Sequence, residues 1–246
     1  MADLLVPAWP APANVRALQT LRTGGCSLAP WDSFNLGDHV GDSPALVAAN
    51  RSRLRALLPA EPIWLKQVHG ITAVNADFEA NLLEADAAYA RQPGKVCVVM
   101  TADCLPVLFC DRAGTVVAAT HAGWRGLAAG VLETTIGKMG VQASELLAWL
   151  GPAIGPECFE VGDEVHAAFI DHDPAAEPAF SPRLPGKWLA DIYALARQRL
   201  QSAGVTSISG GGFCTFSDAE RFFSYRRDGV TGRMASLIWL DDQSGV

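Results

Sequence analysis

The chain has 246 residues, of which 50% are hydrophobic and 18% charged, so one substantial core is expected, in a single domain over residues 1–246. A formal net charge of −7 argues against nucleic acid as a partner, because binding a phosphate backbone needs clustered Lys and Arg. No segment approaches the roughly 18 apolar residues of a membrane span, and no basic and apolar leader opens the chain, so no membrane partner is expected. Six cysteines without a CxxC pair suit a reducing compartment and favour the cytoplasm.

The first elements are a predicted strand and a predicted helix. Residues 15–23 alternate as a strand does and end in two glycines. Residues 44–58 carry apolar side chains at helical spacing. Ser43 and Pro44 favour a helix start at this point, with the serine as cap and the proline in the first turn.

Two short strands are predicted around the sequence QVHG. Residues 63–68 and 71–76 flank His69 and Gly70. A two-residue connection between strands predicts a tight hairpin or a bulge. The ring of His69 would then be exposed at the turn.

Three apolar runs in the middle of the chain are predicted to be buried strands. They lack the alternation of a half-exposed strand, which is typical of strands covered on both faces. The sequence TADC, residues 101–104, separates two of them with polar groups that a core would not tolerate unpaired. HAGWRG, at the end of the third, predicts a strand-to-helix turn, where free N–H groups favour an anion. The runs are 95–100, 105–110 and 115–120, and a helix is predicted at 127–140.

The second half predicts strands mixed with helices, without strict alternation. Such a pattern indicates an α+β (mixed α/β) domain with a mixed β-sheet flanked by helices. The predicted strands are 146–150, 205–209 and 232–240, the predicted helices are 164–170 and 187–204, and the predicted loops are 151–162 and 171–187.

A zinc site with one open position is predicted from two imidazoles and one thiol. His69, Cys104 and His121 each lie where an apolar run meets a Gly-rich or polar turn. Neutral imidazole and thiolate are ligands that zinc prefers, and three protein ligands leave a place for water or substrate. The spacings match no zinc-finger signature, and the HxE and PCxxC pattern of zinc deaminases is absent, so the prediction rests on context.

Other residues near these turns are candidates for catalysis or substrate binding. Asp103 is the nearest candidate for an acid/base carboxylate or for one that orients a ligand. Gln67 shares a strand face with His69, Arg125 stands at a helix start suited to an anion, and Trp124 could stack on a planar base or cover the core. A basic cluster consists of Arg221, Arg226 and Arg227. It could be an anion-binding site or a solvated surface turn.

Three alternatives use the same residues. Cys104 and His121 could be the nucleophile and base of a cysteine hydrolase. Two His, one Cys and a Met are also the ligands of a blue copper site, with Met100 as the methionine. Copper ranks below zinc, because Met100 falls inside an apolar run, where core packing explains it. A zinc-stabilised binding module is disfavoured, because structural zinc sites usually have four protein ligands.

The motifs identify a family resemblance over nearly the whole chain after about residue 15. The chain resembles the YfiH family, also called the polyphenol oxidase or laccase-domain family, which in bacteria is linked to peptidoglycan editing. The resemblance is carried by TLRTGGCS, SFNLGDHVGD, KQVHG, TADCLPVLF, HAGWRGLAAG, GPAIGPECFEVG and FFSYRRDGVTGRMA, with looser matches at EADAAYA and GGGFCTF.

The resemblance implies a compact α-β domain that binds zinc at His69, Cys104 and His121. It further implies purine nucleoside phosphorylase activity, accompanied by adenosine deaminase and methylthioadenosine phosphorylase activities. Members are also described as copper-dependent phenol oxidases and as editors that remove misplaced serine from a muropeptide precursor. Phosphorolysis is favoured because Arg125 offers a phosphate seat, whereas five His residues cannot build a conventional multicopper oxidase. The expected partners are a purine nucleoside and phosphate.

Overall fold

The computed structural model describes residues 3–78 and 84–242. These contain three β-sheets with helices packed around them, which confirms the predicted mixed α and β class. The strands are β1 (Leu4–Leu5), β2 (Val15–Thr20), β3 (Ala73–Asn75), β4 (Ala87–Ala90), β5 (Cys97–Thr101), β6 (Leu105–Asp111), β7 (Val117–Ala122), β8 (Leu146–Leu150), β9 (Glu160–Gly162), β10 (Phe180–Leu184), β11 (Lys187–Ala190), β12 (Ser207–Gly210) and β13 (Met234–Leu240). The helices are α1 (Pro44–Arg55), α2 (Trp124–Ala129), α3 (Val131–Met139), α4 (Asp163–Ile170), α5 (Ile192–Ser202) and α6 (Tyr225–Asp228).

A six-stranded mixed sheet in the order β12-β8-β6-β7-β4-β3 forms the centre. The outer pairs β12–β8 and β3–β4 are parallel and the inner pairs antiparallel. Every residue of β6, β7 and β8 is buried. Residues such as Leu105 and Val107 pack on one face with α3 and α5, whereas Leu108 and Cys110 pack on the other with residues of β5 and β13. Burial on both faces explains the unbroken apolar runs.

A second sheet, in the order β1-β2-β13-β5, is antiparallel and covers the second face of the central sheet. Its own outer face is closed by a cluster that includes Phe34, Leu54 of α1 and Trp64. β5 therefore belongs to one sheet and β6 to the other. The TADC segment carries the chain from the second sheet to the central sheet, which places Cys104 at their junction.

The prediction of a long loop at residues 171–187 was wrong. This stretch contains a short 3₁₀ helix, Pro174–Ala179, and β10, which pairs antiparallel with β11. The helix predicted from residue 187 accordingly starts later, at Ile192. Asp191 stops the strand and caps α5, since its carboxylate accepts the N–H groups of Tyr193 and Ala194.

The hairpin predicted around His69-Gly70 was also wrong. Residues 63–68 form only isolated bridges, Ile63 with Cys97 and Lys66 with Glu84, and β3 pairs parallel with β4. The chain turns at His69 because of contacts made by its backbone with a buried side chain.

Two local predictions also need correction. The predicted helix at 127–140 is broken at Gly130, which has φ +99°, and the side chain of Ser43 makes no capping hydrogen bond to α1.

In the described ranges, 3–78 and 84–242, no helix combines the length and the apolar character required to cross a membrane.

Candidate metal centre

Three side chains far apart in sequence meet at one point. The ligand atoms of His69, Cys104 and His121 lie within 4.8 Å of one another. The Sγ of Cys104 is 3.7 Å from Nε2 of His69, and the two imidazole rings meet edge to face with their centroids 4.8 Å apart. The predicted set of ligands is therefore assembled by the fold.

The three ligands differ in how firmly the fold holds them. His121 belongs to β7 and is 3% exposed. Cys104 is half-buried, directly before β6 and directly after Asp103, which has φ +92°. His69 is exposed in a loop and has φ +60°, an uncommon value for a residue other than glycine. One fixed ligand and two on turns give a site that is open on the side of His69.

Asp86 is the residue that organises this site, and the sequence analysis did not identify it. Its carboxylate is fully buried and lies 2.8 Å from Nδ1 of His121. It also accepts the backbone N–H groups of Val68, His69 and Gly70, at 3.2, 2.9 and 2.6 Å. These three bonds wrap the backbone of residues 68–70 around one carboxylate, which explains the turn at His69. The signal available in the sequence was Asp86 between alanines in EADAAYA, directly before the predominantly apolar residues 87–90.

Gly123 supplies the space behind the ligands. A Cβ built on this residue would lie 2.7 Å from Cδ2 of His69 and 3.1 Å from Sγ of Cys104. Real Cβ atoms essentially never approach another heavy atom as closely as 2.7 Å. Its φ of −65° is ordinary for any residue, so the requirement for glycine here is one of space and not of backbone freedom.

The charges of the ligands are coupled. Burial by itself would raise the pKa of Cys104, but His121 and His69 outweigh this effect through charge and hydrogen bonding and lower it to about 6. Burial would lower the pKa of His121, but Cys104 and Asp86 together raise it to about 9. Burial also opposes ionisation of Asp86, yet hydrogen bonds from His121 and from N–H groups of the loop keep its pKa below the usual value. Without metal, the site therefore holds a thiolate beside an imidazolium.

These residues fit a zinc ion. A tetrahedral zinc with one sulfur and one nitrogen ligand places those two atoms ~3.6 Å apart, close to the distance between His69 and Cys104. Because Asp86 occupies Nδ1 of His121, Nε2 of that ring is left for the metal, an arrangement common for metal-binding histidines. The same geometry also provides a nucleophile, a base and an orienting carboxylate for a cysteine hydrolase.

A cavity of about 400 Å³ opens onto the ligands, which is within the range of about 300–1,000 Å³ found for small-molecule sites. Besides the three ligands it is lined by several residues that sequence reasoning had not proposed as site residues. Arg233 is half-buried and Tyr225 is 60% exposed. The lining residues are His39, Gln67, His69, Met100, Thr101, Ala102, Cys104, His121, Tyr225 and Arg233.

Two of the predicted residues hold the frame of the site. Gln67 lines the cavity, but its amide donates to the carbonyl oxygen of Met100 and accepts the N–H of the same residue, at 2.8 and 2.7 Å. Asp103 does not line it. One oxygen of its carboxylate accepts the hydroxyl of Thr215 and the other accepts the N–H of Arg226, both at 2.6 Å. Both residues thus tie the ligand-bearing turns to neighbouring segments.

Trp124 and Arg125 lie outside the cavity that contains the ligands. Trp124 is half-buried against the main core and lines a separate cleft. Arg125 is exposed, and its guanidinium carbon lies 5.0 Å from the centre of the Trp124 ring. Met100 lines the cavity but is only 5% exposed and packs in the cluster below the second sheet. The packing interpretation of Trp124 and Met100 is therefore the one that their surroundings favour.

The basic cluster of residues 221–227 braces the backbone. Arg227 donates to the carbonyl oxygens of Thr215, Phe216 and Phe222 and pairs with Asp228. In the same way Arg226 donates to the carbonyl oxygen of Glu160, and Arg221 pairs with Asp218. Because these guanidinium groups are engaged with the chain itself, the alternative of an anion site here loses its support.

Comparison with known proteins places the chain in a family. The family model described as multi-copper polyphenol oxidoreductase laccase matches residues 16–241, and purine nucleoside phosphorylase YfiH of Escherichia coli is 57% identical over 243 residues, which is 98% of this chain and 100% of that protein. The chain belongs to the YfiH family. A relative named purine nucleoside phosphorylase, from Pseudomonas aeruginosa, is 60% identical over 239 residues, covering 97% of this chain and 98% of the relative.

Solved structures of the YfiH family have the same fold. The crystal structure of a Neisseria meningitidis protein matches this one with a TM-score of 0.94 at 51% sequence identity, over 98% of this chain and 100% of that chain. Membership confirms the resemblance that the motifs had indicated. The relatives are named purine nucleoside phosphorylases, whereas the family model is described as a laccase. The choice of reaction therefore depends on the site.

Proposed function

We propose that the protein is a zinc-dependent purine nucleoside phosphorylase, with adenosine deaminase and methylthioadenosine phosphorylase activities alongside. The observation that carries this proposal is that one cavity contains both the cluster of metal ligands and the guanidinium of Arg233. Phosphorolysis needs an anion-binding group and a group that stabilises the departing base in the same place. The names of the relatives from Escherichia coli and Pseudomonas aeruginosa support the same reaction.

Arg233 is the best candidate for the phosphate seat. Its Nη1 donates to the carbonyl oxygens of Thr231 and Gly232, whereas no described residue accepts a hydrogen bond from its Nε or Nη2. Burial lowers its pKa, an effect that the charges of Cys104 and Asp103 oppose, and arginine remains cationic at neutral pH. Arg125, the seat expected from the sequence, does not line this cavity.

Tyr225 is placed to bind the base. Its ring is 60% exposed at the start of α6, on the wall of the cavity. The guanidinium carbon of Arg233 lies 5.9 Å from the centre of that ring. A purine stacked on the ring would bring its ribose close to an anion held by Arg233. Stacking on an aromatic ring contributes about 1–3 kcal/mol per base and accepts any purine, which fits activity on several nucleosides.

The chain contributes positioning and charge to this reaction. When bound, zinc supplies a Lewis acid that polarises a substrate oxygen or nitrogen. Asp86 fixes the ring of His121, and Gln67 fixes the end of β5, so the ligands need little rearrangement when substrate enters. In the reaction, a phosphate oxygen bonds to C1′ of the ribose while the bond from C1′ to the purine nitrogen breaks. Arg233 holds the phosphate during this exchange.

The proposal is tested with zinc-loaded protein, inosine and phosphate. We expect release of hypoxanthine together with a ribose phosphate, and no release when either phosphate or metal is omitted. Removing the metal with a chelator and restoring zinc should abolish and restore the activity. Release of hypoxanthine without phosphate would indicate a hydrolase instead. Release that survives chelation would favour the cysteine hydrolase, in which Cys104 acts as a free nucleophile.

A copper enzyme is the second candidate, because the family model carries a laccase description. The three ligands suit copper as well as zinc by type. Among the described residues, however, only the cluster of His69, Cys104 and His121 has a geometry that could hold a metal. Oxidation of a phenol by copper-loaded protein, with no release of base from any nucleoside, would favour this candidate over phosphorolysis.

We also propose that the protein works in the cytoplasm. The support is that all six cysteines are free thiols, which suits a reducing compartment. Detection of the protein in a fractionated cell checks this expectation.

A further inference from the structure

A second cavity lies away from the metal ligands and shares no lining residue with the first. Its volume is about 330 Å³. The loop after β8, the start of α5 and the segment after β12 form its walls. The residues used below are Gly155, Cys158, Asp191, Tyr193, Arg197 and Cys214.

Most polar side chains of this second cavity are already occupied by the protein itself. Arg197 donates to the carbonyl oxygens of Ile208 and Gly210. The hydroxyl of Tyr193 accepts an N–H from Ala153 and donates to the carbonyl oxygen of Gly151, and Asp191 caps α5. The polar groups that remain belong to Glu157, Ser217, Cys158 and Cys214. Of these, only the two sulfur atoms can be oxidised reversibly.

These two thiols are half-buried and close enough to hydrogen-bond to each other. The N–H of Gly155 donates to Sγ of Cys214 at 3.2 Å. Burial would raise the pKa of Cys214, but hydrogen bonds from the hydroxyl and N–H of Ser217, from Gly155 and from Cys158 outweigh it and lower the pKa. Burial and the negative charge of Cys214 raise the pKa of Cys158. Cys214 is thus the sulfur of the pair that loses its proton more readily.

We propose that Cys214 and Cys158 form a reactive dithiol site, at which a small hydroperoxide entering this cavity is reduced and the pair becomes an intramolecular disulfide. A nucleophilic thiolate next to a second thiol is the arrangement of cysteines that oxidise reversibly. The site is separate from the proposed phosphorolysis, since neither sulfur lines the cavity of the metal ligands.

The reaction balances with the hydroperoxide as the oxidant. The thiolate of Cys214 attacks the terminal oxygen of the peroxide, the O–O bond breaks, and the alkoxide leaves as an alcohol after taking a proton, which gives a sulfenic acid. The sulfur of Cys158 then attacks the sulfur of Cys214, and the hydroxyl leaves as water with the proton of Cys158. In total, two thiols and one hydroperoxide give one disulfide, one alcohol and one water.

The test uses the metal-loaded protein and tert-butyl hydroperoxide at a stoichiometric amount. After the remaining thiols are alkylated, we expect peptide mapping to find a peptide pair joined at Cys158 and Cys214 and lighter by two hydrogens. Cys26 is the internal comparator, since it is equally half-buried but its sulfur donates to oxygens of Leu46 and Asn50. We expect Cys214 to react at least about tenfold faster than Cys26, because the thiolate is the reactive form.

Two single variants separate the roles of the sulfurs. In Cys158→Ser, Cys214 should accumulate as a sulfenic acid that a dione probe captures. In Cys214→Ser, Cys158 should stay reduced. Each variant should keep its bound metal and its circular dichroism spectrum. Oxidation of Cys158 at an unchanged rate in Cys214→Ser, or oxidation of Cys26 before the pair in the parent protein, would overturn the proposal.

Discussion

The carboxylate of Asp86 lies 2.8 Å from Nδ1 of His121 and is fully buried. It also binds the three consecutive N–H groups of the loop that carries His69. One side chain thus fixes the ring of one ligand and the backbone of another. Because β4 follows Asp86 directly and pairs with β7, the central sheet itself sets the position of this carboxylate.

Replacing Asp86 should weaken metal binding although the three ligands remain. We expect Asp86→Asn to lower the affinity for zinc by about 10–100-fold, the usual effect of removing a carboxylate that orients a metal-binding histidine. A competition titration with a coloured chelator measures this. Glu84→Gln is the matched control, since Glu84 forms an exposed ion pair with Lys66, and such pairs contribute little. Equal zinc affinity in Asp86→Asn and in the parent protein would contradict the role of Asp86 in positioning the ligands.

Replacing any one ligand should remove the metal. We expect about one zinc per chain in the parent protein and substoichiometric zinc in His69→Ala, Cys104→Ala and His121→Ala, because two remaining ligands hold the ion poorly. His172→Ala, a change at an exposed histidine outside the cluster, should keep its zinc. Elemental analysis decides. Full retention of zinc in all three variants would show that these residues do not bind the metal. An intense blue colour with copper would favour the copper alternative.

The two glycines Gly123 and Gly137 should respond in opposite ways to alanine. Gly123→Ala should abolish or strongly weaken zinc binding, because the new methyl group would occupy the space of His69 and Cys104. Gly137 lies inside α3, and a Cβ there would meet nothing within 4 Å. Gly137→Ala should therefore bind zinc normally and gain about 0.5–1 kcal/mol of stability. Zinc titration and thermal unfolding measure the two effects, and normal zinc affinity in Gly123→Ala would refute the steric argument.

Alkylation of Cys104 should depend on both pH and metal. In metal-free protein its pKa is lowered to about 6, and the thiolate is the reactive form. The rate of labelling by iodoacetamide should therefore rise from low pH, be half-maximal near pH 6, and level off above about pH 7. Zinc should suppress the labelling. Cys97, whose pKa burial raises, is the unreactive control. A midpoint near that of a free thiol would contradict the thiolate state of Cys104.

Arg233 and Arg125 should differ in their effect on phosphate. We expect Arg233→Met to raise the KM for phosphate about ten- to a hundredfold, since a charge-assisted hydrogen bond contributes about 1.5–3 kcal/mol. The KM for nucleoside should change much less. Arg125→Met should leave both values unchanged, because Arg125 is exposed outside the cavity. Steady-state kinetics at varied phosphate concentration measures both KM values. A raised KM for phosphate in Arg125→Met, with no change in Arg233→Met, would favour Arg125 as the phosphate-binding residue.

The sequence by itself determined the residue types of the candidate metal site and the strands β6 and β7, which adjoin Cys104 and contain His121. His69, Cys104 and His121 could be singled out because each lies where an apolar run meets polar residues. Burying an unpaired polar group costs free energy, so polar residues at such places indicate a site. The central strands β6, β7 and β8 were predictable for the same reason, since burial on both faces removes the alternation that polar exposure would impose.

Only the tertiary structure decided which residues support those ligands. Asp86 is 17 residues from His69 and 35 from His121, and Arg233 is 112 residues from His121. No local sequence pattern marks either residue. The hairpin at His69 was predicted from local turn rules, but the buried carboxylate of Asp86, directly before β4, bends that loop instead. Arg125 satisfied the local rule for an anion site, yet the orientation of α2 leaves it outside the cavity. Contacts between distant segments depend on how the sheets pack, and that packing is a property of the whole chain.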